Sequence, residues 1–103
     1  MYARNVSIEL KPDSAAEFSR TLESDILPLL RMQPGFKDQL TFLTDDGKRA
    51  VAISLWDAKG NAEAYGRNSY AAVVRSLEPV MIGTPDVQTY EVTNSTFHKI
   101  LGR

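Results

Sequence analysis

The chain has 103 residues, with 12 Lys+Arg against 13 Asp+Glu, one histidine, no cysteine and 43% hydrophobic residues. That length predicts one domain, the balanced charge argues against a nucleic-acid face or an anionic membrane surface, and the missing cysteine excludes disulfides, thiolate catalysis and Cys-ligated metals. No apolar run approaches the roughly 18 residues of a membrane-spanning helix, and MYARNVSIEL lacks a signal-peptide layout, so the expectation is a soluble cytoplasmic protein.

Residues 2–10 alternate. Tyr2, Arg4, Val6, Ile8 and Leu10 point one way, and Ala3, Asn5, Ser7 and Glu9 the other, which predicts a strand with one apolar face that also carries an arginine. Lys11-Pro12-Asp13 ends it. Ser14 with Glu17 has the spacing of a capping box. Phe18, Leu22, Ile26 and Leu29 then recur at helical spacing, with Pro28 set to kink or end the regular part and Gln33-Pro34-Gly35 to close it.

A second strand is predicted over 36–44, with Phe36, Leu40 and Phe42 on one face and Lys37, Gln39, Thr41 and Leu43 on the other. Asp45-Asp46-Gly47-Lys48 is a hairpin signal, so the second and third strands should pair antiparallel. The third strand leads to Trp56. Val51, Ile53 and Leu55 form one face, and Ala52, Ser54 and Trp56 the other. Neither face is polar, which predicts a central strand covered on both sides, by helices on one and by a second subunit on the other. Asp57 is a candidate N-cap. Two helices are expected at 58–67 and 69–78, loosened by Gly60 and Gly66, with Tyr70, Val73, Val74 and Leu77 inward. Gly83-Thr84-Pro85 reads as a breaker and 86–93 as a fourth strand. Residues 94–103, with Phe97, Ile100 and Leu101, form a tail expected to dock on a partner or on the sheet edge.

Strand–helix–strand, hairpin, strand–helix–strand is the ferredoxin-like split βαβ order. The expected fold is α+β: a four-stranded antiparallel sheet with helices on one face, two such domains packing as a dimeric α+β barrel. The predicted partner is therefore a second copy of the chain, in a homodimer, and residues 1–103 form a single domain.

At this point the chain resembles the antibiotic biosynthesis monooxygenase family of dimeric α+β barrels, over about residues 2–93. Gln33-Pro34-Gly35-Phe36 matches its step into the second strand. Ser54-Leu55-Trp56-Asp57 followed by Ala62-Glu63-Ala64-Tyr65 is similar to its strand-ending tryptophan and following helix, and Tyr90-Glu91-Val92 to its last strand. Haem-degrading members carry a first-strand asparagine, that tryptophan and a helical histidine. Asn5 and Trp56 can stand for the first two, but the histidine position falls at about Tyr65, and the one histidine, His98, lies in the tail. The resemblance thus implies no haem. It implies oxidation of a small phenolic or aromatic substrate by oxygen without a cofactor, in a cavity between sheet and helices.

Trp56, Asn5 and Tyr65 are the candidate catalytic donors, and Ser54, Ala52, Tyr90 and Arg67 the candidate substrate contacts. No metal site is expected, because one histidine stands alone and Asp45-Asp46 reads as a turn. Each candidate also has a plainer reading: Trp56 as a core plug, Tyr65 and Tyr90 as packing, and Asn5, Arg67, Arg75 and His98 as solvated. The competing functions are a non-catalytic dimer that binds a small ligand or serves as an interaction module, an isomerase of the muconolactone type, and last a haem-degrading oxygenase.

Overall fold

The computed structural model describes residues 1–100; Leu101, assigned above to the docking tail, lies outside them. Strand β1 (Tyr2–Leu10) leads to helix α1 (Ala15–Thr21), a π-helical turn (Leu22–Ile26) and helix α2 (Leu27–Arg31). Strands β2 (Phe36–Leu43) and β3 (Arg49–Trp56) form a hairpin. Helices α3 (Lys59–Asn68) and α4 (Tyr70–Leu77), a 3-10 turn (Glu78–Val80) and strand β4 (Met81–Glu91) complete the order. The sheet runs β2-β3-β1-β4 with every neighbouring pair antiparallel. This is the expected ferredoxin-like arrangement, and β3 is an interior strand.

Strand register assigns the faces. Arg4 stands opposite Ser54 and Thr89, and Val6 opposite Ala52 and Val87. Side chains alternate along a strand, so Arg4, Val6, Ile8, Ala50, Ala52, Ser54 and Trp56 share the face under the helices. Ala3, Asn5, Val51, Ile53, Leu55, Leu40, Phe42 and Tyr90 share the outer face. The core lies on the helical side, where Phe18, Ile26 and Leu30 from the first helical region and Val73 and Leu77 from α4 bury against Ile8, Leu10 and Trp56.

Four local expectations differ from the structure. Phe36 packs against the core, not beside Leu40 and Phe42, because a bulge between Phe36 and Asp38 shifts the pairing with β3 and reverses the alternation beyond it. β4 starts at Met81, since the strand runs through Gly83-Thr84-Pro85 as an irregularity: Gly83 takes φ 70° and the register with β1 slips between Ser7 and Glu9. Asp57 does not cap α3. The N-cap is Ala58, and Asp57 Oδ1 accepts from Asn61 Nδ2 at 2.8 Å. Ser14 is the N-cap residue of α1, but its hydroxyl donates to the Pro12 carbonyl at 3.3 Å and makes no side-chain cap hydrogen bond, so no capping box forms.

Pro28 acts as expected. It sits in the first turn of α2, directly after the π-helical turn that absorbs its missing donor. The hairpin turn is closed by Asp46, whose Oδ1 accepts from the Thr44 hydroxyl at 2.7 Å and from the Lys48 N–H at 3.0 Å.

Candidate functional site

Trp56 ends β3 under α3 and is 0% exposed. Its indole stacks on Tyr65 at 4.9 Å between ring centroids and meets Phe36 edge-on at 5.6 Å. The indole N–H donates to the Ser54 hydroxyl at 2.9 Å. Two residues apart on one strand, Ser54 and Trp56 project to the same side, which is why the pair forms. Trp56, Tyr65 and Ser54 are therefore brought together, but the indole donor is already occupied. The space over Ala52 is closed as well: the hollow between sheet and helices there is about 30 Å³, room for roughly one water.

The remaining candidates lie elsewhere. Asn5 and Tyr90 belong to the outer face of the sheet, opposite Trp56, and Tyr90 is exposed. Arg67 is exposed on α3, and His98 sits beside Asp38 on the outer side of β2. Among the described residues no three His, Asp or Glu side chains gather as metal ligands, and no helix is long and apolar enough to cross a membrane.

Arg4, not singled out above as a site residue, organises the site. It is only 8% exposed. Its guanidinium carbon lies 4.7 Å from the Tyr70 ring centroid and 5.3 Å from that of Tyr65, a cation flanked by two π faces. Gly66, next to Tyr65 on α3, makes the room. A Cβ there would stand 2.8 Å from Arg4 Nη1, closer than non-bonded atoms tolerate. Arg4 Nε and the Tyr70 hydroxyl are buried without a hydrogen-bond partner, and no acidic side chain among the described residues forms an ion pair with Arg4.

Both tyrosines stay neutral near neutral pH. Burial pushes the Tyr65 hydroxyl up to about 12, against the weaker opposing pull of Arg4, and burial raises Tyr70 in the same way. The one signal for Arg4 in the sequence was its position in the apolar phase of an alternating strand.

Arg4 also lines a cleft of about 230 Å³ between α3 and the β1–β4 pair, together with Tyr2, Lys59, Ala62, Glu63 and Thr89. Tyr2 supplies an aromatic wall, with the Lys59 ammonium 5.9 Å from its ring centroid. The arrangement offers an aromatic wall, a largely buried cation and a threonine hydroxyl. Such a set suits an aromatic ligand that carries an oxygen.

No protein-family model matches the chain, and no curated protein matches it. Solved structures do. A Nitrosomonas europaea protein of unknown function superposes with TM-score 0.76 at 19% identity, over 92% of this chain and 91% of that one. A Bordetella bronchiseptica protein provisionally named an antibiotic biosynthesis monooxygenase gives 0.76 at 14% identity, over 90% and 97%. A Streptomyces coelicolor monooxygenase solved in complex with nanaomycin D gives 0.75 at 16% identity, over 95% and 92%. The chain has the α+β fold shared by proteins named antibiotic biosynthesis monooxygenases.

Proposed function

We propose that this protein is a cofactor-independent monooxygenase of a small phenolic or aromatic substrate, bound in the cleft between α3 and the β1–β4 pair. The carrying observation is the Arg4 guanidinium, buried against the Tyr65–Tyr70 pair, with Arg4 lining that cleft. Its likeness in fold to a monooxygenase solved with nanaomycin D supports the reading.

The chemistry needs little machinery. An anthrone-type substrate loses a proton to water and becomes a phenolate-like anion, which Arg4 stabilises as a fixed cation in a partly dry site. The anion reduces oxygen. One oxygen atom bonds to the ring carbon, the other leaves as water, and a CH2 becomes C=O. Tyr65 and Trp56 do not line the cleft; they back Arg4, with their rings stacked and the indole fixed by the Ser54–Trp56 hydrogen bond.

We also propose that the outer face of the sheet is covered by a second copy of the chain. Leu40, Phe42, Tyr90 and Ile82 are exposed on it, more apolar surface than a lone sheet face ordinarily leaves in water. Asn5 Oδ1 is buried there without a partner, and a facing subunit would supply one.

The closed surroundings of Trp56 favour a second reading, a protein that binds the same ligand and does not turn it over. Oxygen uptake and quinone formation from an anthrone, measured with and without the protein, separate the two. Uptake above background, one O2 per quinone, supports the monooxygenase. Equal rates with and without protein, with ligand bound, leave the binder.

A further inference from the structure

Resting on the cleft just described, we infer that it selects its ligand by charge: the occupant carries an oxyanion on an aromatic ring, and Arg4 is the residue that reads it. A guanidinium removed from water is unfavourable unless something compensates its charge. The flanking tyrosines compensate only part. Their rings approach the guanidinium carbon to 5.3 and 4.7 Å, and Nε still finds no acceptor. Neither tyrosine is a counter-ion, since burial keeps both hydroxyls protonated near neutral pH.

The other charged groups lining the cleft do not cancel Arg4. Glu63 is exposed and makes no ion pair with it, and Lys59 adds a second cation at the rim, over Tyr2. The cleft therefore has a positive balance, and the Arg4 side chain that lines it keeps an unused buried donor. Gly66 completes the device: it is the missing side chain on α3 that lets the guanidinium settle against Tyr65 and Tyr70. Planar donors match a carboxylate or a phenolate oxygen, and the cleft volume of about 230 Å³ suits a fused-ring ligand no larger than an anthrone.

Calorimetric titration of the whole chain at neutral pH with 2-naphthoate and with 2-naphthamide tests this. The two probes share size and ring and differ in charge. The expected result is that naphthoate binds about tenfold more tightly or better, as for a hydrogen bond to a charged group. Arg4→Met, which keeps the length of the side chain, abolishes the preference. Gly66→Ala, which removes none of the contacting groups but displaces Nη1, reduces it. Equal affinities in the wild type, no naphthoate binding at millimolar concentration, or a preference unchanged in both variants would overturn the inference. The readout is independent of turnover: an anion preference without oxygen uptake defeats the monooxygenase reading and leaves this one standing, and oxygen uptake with no anion preference does the reverse.

Discussion

A methyl group at Gly66 would stand 2.8 Å from Nη1 of Arg4, so alanine at a helix position it would ordinarily improve requires the guanidinium to shift. Glycine in a helix interior costs about 0.5–1 kcal/mol relative to alanine. In the wild type Gly66→Ala is expected to gain nothing, because the displaced guanidinium offsets the helix term. In an Arg4→Met background it gains about that amount. Gly60, with nothing within 4 Å of its would-be Cβ, is the control, and Gly60→Ala stabilises in both backgrounds. Urea unfolding of the four Gly66 and Arg4 combinations checks this; an equal gain from Gly66→Ala in both backgrounds contradicts the packing described.

Ser54 accepts the buried Trp56 indole N–H. Ser54→Ala leaves that donor without a partner and is expected to destabilise by about 1–3 kcal/mol. Trp56→Ala empties the centre of an aromatic cluster and costs about 3–5 kcal/mol. Tryptophan fluorescence should be nearly inaccessible to iodide in the wild type. A Ser54→Ala variant as stable as the wild type would show that the hydrogen bond is not what satisfies the indole.

Alkaline stability follows from Tyr65. Its hydroxyl rises from 10.0 to about 12 on folding, through burial, so the folded state binds the proton more tightly than the unfolded chain. The stabilisation is fully present below pH 10 and is lost as pH rises through about 12. Tyr65→Phe has no such proton to lose. Thermal unfolding across that range should show the wild type falling more steeply than Tyr65→Phe; parallel curves would place the Tyr65 hydroxyl in water.

Ile53 is the central outer-face residue of β3, flanked by Leu40 of β2 and Asn5 of β1. It points away from the helices, so Ile53→Asp leaves the core intact and puts a charge in the middle of the proposed subunit contact. Light scattering at micromolar concentration should give a dimer for the wild type and a monomer for Ile53→Asp, with the same far-ultraviolet circular dichroism. A wild-type monomer removes the proposed second copy.

Much of this fold was legible in the residues. Asp-Gly located the β2–β3 hairpin, and two apolar faces marked β3 as interior before any coordinate. The misses share a cause. Bulges at Phe36/Asp38 and opposite Ser7/Glu9 change register without leaving a clear mark on local composition, so alternation alone assigns Phe36 to the wrong face and starts β4 five residues late. The site was less legible. Alternation already put Asn5 and Arg4 on opposite faces of β1, but only register shows which face the helices cover. Arg4 was visible as an odd charge among apolar neighbours. Its meaning depends on Gly66, Tyr65 and Tyr70, more than 60 positions away in sequence, and no local pattern joins them.

The most direct measurement is the Nε–H resonance of Arg4 in a nitrogen-15 spectrum, assigned by its loss in Arg4→Met. Buried and unpaired, that N–H should be visible in the free protein. On titration with 2-naphthoate it is predicted to move downfield and saturate, and with 2-naphthamide to stay in place. A resonance that ignores the anion while the protein binds it elsewhere would contradict the account.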